Sequence, residues 1–498
     1  MKEIRLEKVK EFLNKHKKIW IPAGATFLVL LLTVILLQIV PSILGKTSML
    51  LDSTAENASN IEETTEDKVD MPSDQTEDNS AGTGTINGDS DEVNSLADDG
   101  EASSNKEPTS ISENTDASLD NLVDKADTSG MNFDFSEEDD QAADIKNSDA
   151  EINLDEAKET TSITSGGTYT LTGTKDTMIY VNAGDANVTL ILNGVTIKNS
   201  AGPAIYVKSA GKVNITVAAG TTNTLSDGSS YSITDGGSSL DAALFSRADL
   251  TINGSGTLIV KGNYKHGIVS KDDLIVSSVN LQITSNKVGL NGKDCVKINS
   301  GTITIVAGSD GIRSDNDEDT NKGYIYLYGG TIRITAGNDG IQAETVLNIE
   351  TVDLTVQAGG GSSGTLYSSD ESYKGLKAGS DIYISGGSFT IDSKDDCIHS
   401  NGTVTISGGT YTLSSGDDGI HADTDLGISN NITKLSILKS YEGIEGSSII
   451  ITGGTISIVA TDDGLNGAGG SDSSAATNRP GQGHFTSSTG KIAISGGN

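Results

Sequence analysis

The sequence predicts an all-β fold, a right-handed parallel β-helix of about a dozen coils, set behind one N-terminal transmembrane helix and a disordered acidic linker. Three observations predict it. The composition changes abruptly near residues 46 and 160, a motif built on Asp-Gly-Ile recurs at a spacing near 22 residues, and each recurrence carries two alternating apolar runs around a Gly-Gly or Ser-Gly turn.

Residues 1–18 form a basic tail, with Lys2, Arg5, Lys8, Lys10, Lys15, Lys17 and Lys18, and no further charge appears from Ile19 until Lys46. The apolar stretch within 19–45 is long enough as a helix to cross roughly 30 Å of hydrocarbon. Basic residues on its N-terminal side place that end in the cytoplasm and everything after Lys46 outside. A cleaved signal peptide has a shorter apolar core and a small-x-small site, and Ser42-Ile43-Leu44-Gly45 is a poor one. The expectation is therefore a single-pass anchor in the cell membrane, the membrane being a partner through this helix.

Residues 46–160 hold 33 acidic against six basic residues and supply most of the net charge of −35. Such a segment buries too little apolar surface to offset chain entropy, and its like charges repel, so a disordered acidic linker is expected. The acidity excludes a general nucleic-acid binder, which needs a basic face to neutralise phosphates.

Residues 161–498 are the expected β-helix. Gly308-Ser309-Asp310-Gly311-Ile312 returns as Gly337-Asn338-Asp339-Gly340-Ile341, Asp395-Asp396-Cys397-Ile398-His399, Asp417-Asp418-Gly419-Ile420-His421 and Asp462-Asp463-Gly464-Leu465-Asn466. Weaker copies centre on Gly267, Gly289, Gly375 and Gly443, and longer steps between copies are loop insertions. A repeat of this length is a solenoid signature, because each coil buries its apolar face only against its neighbours. Val404 and Ile406 with Tyr411 and Leu413, or Ile382 and Ile384 with Phe389 and Ile391, give two period-2 strands per coil. Asp-Gly-Ile adds a third, its glycine expected to bend the chain through φ > 0. Cys295 and Cys397 fall about four rungs apart, near 19 Å, so both are expected to be free. Residues 491–498 repeat the first strand and turn of a coil with nothing to cover them, and the chain is expected to be C-terminally incomplete.

The residue before the repeat glycine is His266, Val288, Asp310, Asp339, Lys374, Asp396, Asp418, Glu442 and Asp463 in successive coils. Stacked in one column, such carboxylates repel unless cations lie between them. Asp395, Asp417 and Asp462 precede the column, and Asp315, Glu344 and Asp423 follow it. Hard oxygen donors in this number suit Ca²⁺, so the candidate metal ligands are Asp310, Asp339, Asp395, Asp396, Asp417, Asp418, Glu442, Asp462 and Asp463. Aspartate before glycine is also an ordinary turn residue. Lys374 interrupts the acidic run either as a neutralising charge or as a weak candidate for the catalytic base of a β-eliminating lyase. Tyr326 and Tyr383 share an outward column two coils apart, near 10 Å, a spacing suited to stacking sugar rings. With Lys374, Lys377 and Arg313 they form the candidate ligand-binding set. His399 and His421 are expected to stack as exposed polar residues.

The repeated Asp-Asp-Gly-Ile-His and Ile-x-Ile-x-Gly-Gly-Thr-Ile patterns, from about Ser162 to Asn498, resemble the bacterial carbohydrate-binding β-helix proteins that bind cellulose and acidic sugars, themselves similar to calcium-dependent pectate lyases. The resemblance implies a glycan partner such as polygalacturonate or a cellulose-like polymer. It also implies calcium at the aspartate column, where Asp396, Asp418 and Asp463 fit best and Val288 and Lys374 depart from the pattern. A cell-surface carbohydrate-binding protein is the leading expectation, more a binding protein than an enzyme. A pectate-type lyase and a non-binding adhesin are the alternatives.

Overall fold

The computed structural model describes residues 126–156, 159–235, 239–363, 371–429, 433–467 and 490–498. The expected anchor at 19–45, and the linker as far as residue 125, lie outside the described residues. Among those described, no helix is long and apolar enough to cross a membrane.

The described chain is all-β apart from short helical turns, and its strands pair in parallel within one network of 35 strands. Strands such as Thr410–Ser415 alternate, with Tyr411, Leu413 and Ser415 buried and Thr410 exposed, because a pleated strand sends successive side chains to opposite faces. The pairing repeats coil upon coil, as a β-helix solenoid requires. Ile268 pairs with Leu290, and the column continues through Ile312, Ile341, Leu376, Ile398, Ile420 and Ile444 to Leu465. A second column runs Leu258, Leu281, Ile303, Ile332, Leu354, Phe389, Tyr411, Leu435. Within it the Phe389 and Tyr411 rings lie parallel at 4.7 Å. These columns join one continuous buried core. Cys295 and Cys397 are both buried and free. Lys491–Ile494 stacks on Ser448–Ile451 as a further rung.

Two expectations are corrected. The repeat glycines do not adopt positive φ. Left-handed backbone falls instead on the second glycine of each Gly-Gly turn, as at Gly330, Gly387 and Gly409. The repeat glycine is needed for space: a Cβ at Gly375 would lie 2.4 Å from both Cys397 O and Ile391 Cγ2. Where Cys397 occupies the position, its Sγ turns inward to Ser393 Oγ at 3.2 Å and Ser414 O at 3.2 Å.

The second correction concerns the linker and the β-helix boundary. Ala150–Asn153 already pairs with Gly167–Lys175, so the ladder begins before residue 161. Residues 126–149 are ordered too, lying across one sheet as a strap. Met131, Phe133 and Phe135 supply apolar anchors that the acidic composition of the segment obscures.

Candidate functional site: an acidic column at a coil corner

Backbone bonds set the column in register. The N–H groups of Gly289, Gly311, Gly340, Gly375, Cys397, Gly419 and Gly443 donate to the carbonyls of Asp310, Asp339, Lys374, Asp396, Asp418, Glu442 and Asp463 in the next rung. The residues before the repeat glycine are therefore vertical neighbours, and all but half-buried His266 at one end and exposed Asp463 at the other are buried.

Their side chains have a structural task. Asp339 Oδ1 accepts the Lys374 N–H at 2.7 Å, Asp396 Oδ1 the Asp418 N–H at 2.9 Å, and Asp418 Oδ1 the Glu442 N–H at 3.3 Å. His266 Nδ1 does the same for Val288 at 3.2 Å. A buried backbone N–H without a partner is costly, so an acceptor at this position stabilises the corner.

The next outward column, three residues further along each coil, carries the compensating charge. Arg313 pairs with Asp310 at 3.4 Å and Asp315 at 2.8 Å, and Lys377 with Asp339 at 3.6 Å. Desolvation raises the Asp310 and Asp339 carboxyls, and the neighbouring cation opposes it in each case. Arg313 and Lys377 are thus engaged within the protein, and the metal role expected of Asp310 and Asp339 is filled by side-chain cations.

Lys374 is 4% exposed, with Nζ 2.6 Å from Asp396 Oδ2 and 3.1 Å from Asp395 Oδ2. This corrects its place among ligand-binding and catalytic candidates: it neutralises buried carboxylates and is withheld from a polymer. Full burial pushes the Asp396 carboxyl up, but the Lys374 charge and a 2.8 Å bond to His399 Nδ1 outweigh it and hold the group well below the usual range. Desolvation and the adjacent Asp396 charge raise Asp395.

Asp395, Asp396 and Asp417 bring three carboxylate oxygens within 4.8 Å of one another, all buried. Asp395 Oδ1 is buried and has no hydrogen-bond partner among the described residues. Lys374 neutralises one of the three charges, so the cluster keeps a donor set of hard oxygens that fits a divalent cation. A second group joins Asp418, His421 and Glu445. His421 bonds Asp418 at 3.3 Å, Glu445 at 3.2 Å and Asp423 at 3.1 Å. Burial works against its protonation, yet these carboxylates lift its pKa well above the ordinary value. His399 stacks on it at 4.8 Å, and its pKa is lowered by burial and by Lys374. Both rings are buried, which corrects the expectation of an exposed pair.

The remaining candidates are not gathered. Asp462 and Asp463 are exposed, Tyr441 intervening between Asp417 and Asp462 and donating to the latter at 2.9 Å. Glu442 accepts from Asn466 at 2.6 Å and is pushed up to about 7, chiefly by burial. Tyr326 and Tyr383 do share a column two rungs apart, with Asn348 between them. They form no open platform, because the strap covers them. Phe135 stacks on Tyr326 at 5.8 Å, and the Ala126 N–H donates to Tyr383 Oη at 3.1 Å.

Sequence reasoning missed Glu445, although it occupies the His421 position of the next coil. It also missed Asp249, Asp272 and Asp273, a third acidic group beneath the strap. Its signal was the recurrence of aspartate at the start of strands Asp249–Gly254 and Asp273–Val276.

Comparison with known proteins matches this sequence to one family. A carbohydrate-binding domain-containing protein of Acetivibrio thermocellus is 38% identical over 201 residues, 40% of this chain and 70% of that protein. A solved structure of a polysaccharide lyase-like protein from C. thermocellum, a gadolinium derivative, is 32% identical over 48% of this chain and 95% of its own, with a TM-score of 0.41. The family model of carbohydrate-binding domain-containing proteins matches residues 157–419, more than half of the chain. The chain belongs to the carbohydrate-binding domain-containing protein family.

Proposed function

We propose that this carbohydrate-binding chain holds acidic or plant cell-wall polysaccharide, polygalacturonate or a cellulose-like polymer, at the cell surface in a calcium-dependent way. The observation that carries the calcium reading is the buried, unpartnered Oδ1 of Asp395 within the Asp395, Asp396 and Asp417 cluster. An orphaned buried carboxylate oxygen is expensive, and a cation relieves it.

Asp395 and Asp417 would hold the ion, with Asp396 behind them fixed by Lys374, His399 and the Asp418 N–H. Bound there, Ca²⁺ would supply positive charge that offsets these buried carboxylates and holds the corner in the shape on which polymer binding depends. The chain's own part is to keep Asp396 ionised, to hold the carboxylates at fixed rung spacing, and to exclude water from the corner. The finer architecture belongs to the same reading: a right-handed β-helix of about a dozen coils, tethered through an acidic linker to an uncleaved anchor at 19–45, with residues 1–18 cytoplasmic.

The test is retention of the full chain on immobilised polygalacturonate and on cellulose, with calcium and with a chelator. Retention on polygalacturonate that the chelator abolishes, without unsaturated product absorbance, supports the reading. Equal retention under both conditions removes calcium from it, product absorbance replaces it with a lyase, and no retention on either polymer overturns it.

A further inference from the structure

The strap is an unusual covering for a sheet. Between residues 126 and 149 no strand joins the ladders, the only regular elements being Glu137–Asp140 and the turn Ile145–Asn147. From Met131 to Ser136 its side chains alternate, Met131, Phe133 and Phe135 half-buried against the sheet and Asn132, Asp134 and Ser136 exposed. Segments held by few side chains open locally at lower free energy than the body they cover.

What the strap touches is chemically specific. Phe133 lies 5.3 Å from Tyr324 and 5.1 Å from Tyr326, and Phe135 stacks on Tyr326 at an interplanar angle of 26°. Beside these rings the sheet presents mainly donors, which the strap meets with oxygens, and a few acceptors, Asp381 Oδ2, Tyr383 Oη and Thr216 Oγ1, which take the N–H groups of Ala126 and Ala143. Tyr324 Oη donates to Asn132 O at 2.7 Å, and Lys297 Nζ to Asp134 O at 2.6 Å. Lys212 Nζ and Thr251 Oγ1 both donate to Asp139 Oδ1 at 2.7 Å, and Asn253 Nδ2 to Gln141 O at 3.2 Å. A cavity of about 320 Å³ remains between strap and sheet, reached by Phe135, Lys212, Thr251 and Lys297 and also by Asp249 and Asp273, carboxylates that would accept from sugar hydroxyls.

Aromatic faces flanked by hydrogen-bond donors and lysines are what an acidic sugar polymer requires, since each ring offers an apolar C–H face, hydroxyls and a carboxylate. Tyr326 and Tyr383, two rungs apart, are separated by about 10 Å along the stack, the order of a disaccharide repeat. The strap sets ring faces, carbonyls and carboxylates where such a polymer would set its own.

We propose that residues 126–149 are a built-in occupant of a second glycan face, the sheet carrying Tyr324, Tyr326, Tyr383, Lys212 and Lys297, and that an acidic oligosaccharide binds there by displacing them. The proposal rests on the carbohydrate-binding reading and is independent of the calcium corner. Because strap and glycan compete, affinity at this face is reduced by the fraction of time the strap is seated.

The test is calorimetric titration of the full chain with oligogalacturonate and, separately, with a cello-oligosaccharide. Phe133→Ala with Phe135→Ala loosens the strap and leaves the sheet intact, and Asp139→Asn loosens its polar anchor alone. Both variants should bind oligogalacturonate several-fold to tenfold more tightly than the unaltered chain. Saturating oligogalacturonate should also speed proteolysis within residues 126–149 of the unaltered chain. Binding that is unchanged or weaker in both variants, or a strap protected from protease by the sugar, overturns the proposal and leaves the carbohydrate-binding reading standing. Variants that self-associate without gaining sugar affinity make a second copy the occupant and overturn it likewise. No binding by any form, with or without calcium, removes the reading and the proposal together.

Discussion

Lys374 Nζ sits 2.6 Å from Asp396 Oδ2 in a corner where neither side chain is more than 5% exposed. A buried pair of this kind is weak evidence for net stability, but removing one partner leaves a charge without compensation. Lys374→Met is expected to destabilise the chain by about 3–5 kcal/mol, read as the shift in urea unfolding. A loss under about 1 kcal/mol would mean that His399 and the backbone donors suffice for Asp396.

The repeat glycine makes a contrasting pair. A methyl at Gly375 meets a backbone carbonyl and the Ile391 side chain at 2.4 Å, whereas at Gly464 nothing lies within 4 Å. Gly375→Ala should therefore cost about 1–3 kcal/mol, the range for overpacking a filled site. Gly464→Ala should unfold within experimental error of the unaltered chain. Equal losses at both positions would point to backbone freedom, not space, as the reason for glycine.

Burial pushes the Cys397 thiol up to about 12 and raises Cys295 well above its ordinary value. Reactivity with a disulfide reagent follows the thiolate, so both cysteines should be silent at pH 8 in the native chain and react together on denaturation. Fast modification of either in the native state would contradict the burial described.

Asp139 ties the strap to the sheet, and although burial opposes ionisation, bonds from Lys212, Thr251 and Ser136 lower its pKa from 3.8 to about 2. A depressed carboxyl contributes stability that is fully present above pH 3.8 and is lost as pH falls toward 2, here on the order of 2 kcal/mol. Hydrogen exchange in residues 126–140, corrected for intrinsic rate, should accelerate across that window, while the ladder strands stay protected. Asp139→Asn should remove the acid dependence, and a uniform loss of protection over the whole chain would refute a local release.

The repeat was legible because solenoid physics is nearly one-dimensional: a motif placing Asp396 above Lys374 and below Asp418 does so in every coil once the register is set. The apolar columns through Ile398 and Phe389 follow from the same periodicity. The strap was not legible, because its contacts span very long sequence separations, 192 residues between Tyr324 and Asn132. Its local signal, Met131, Phe133 and Phe135 at alternate positions, is diluted by the acids around it. Burial of Lys374 and His421 was equally hidden, since it depends on what the outward column places beside them. The φ of Gly375 was misjudged because spacing alone does not separate a glycine needed for torsion from one needed for room.

Calcium binding at the coil corner is tested most directly by titrating Ca²⁺ into the chelator-treated full chain and into Asp395→Asn with Asp417→Asn, reading heat and melting temperature together. Saturable binding that stabilises the unaltered chain and disappears in the double variant, with oligogalacturonate retention lost alongside, is the result expected. Binding unchanged by the double substitution, or no binding by the unaltered chain, would contradict it.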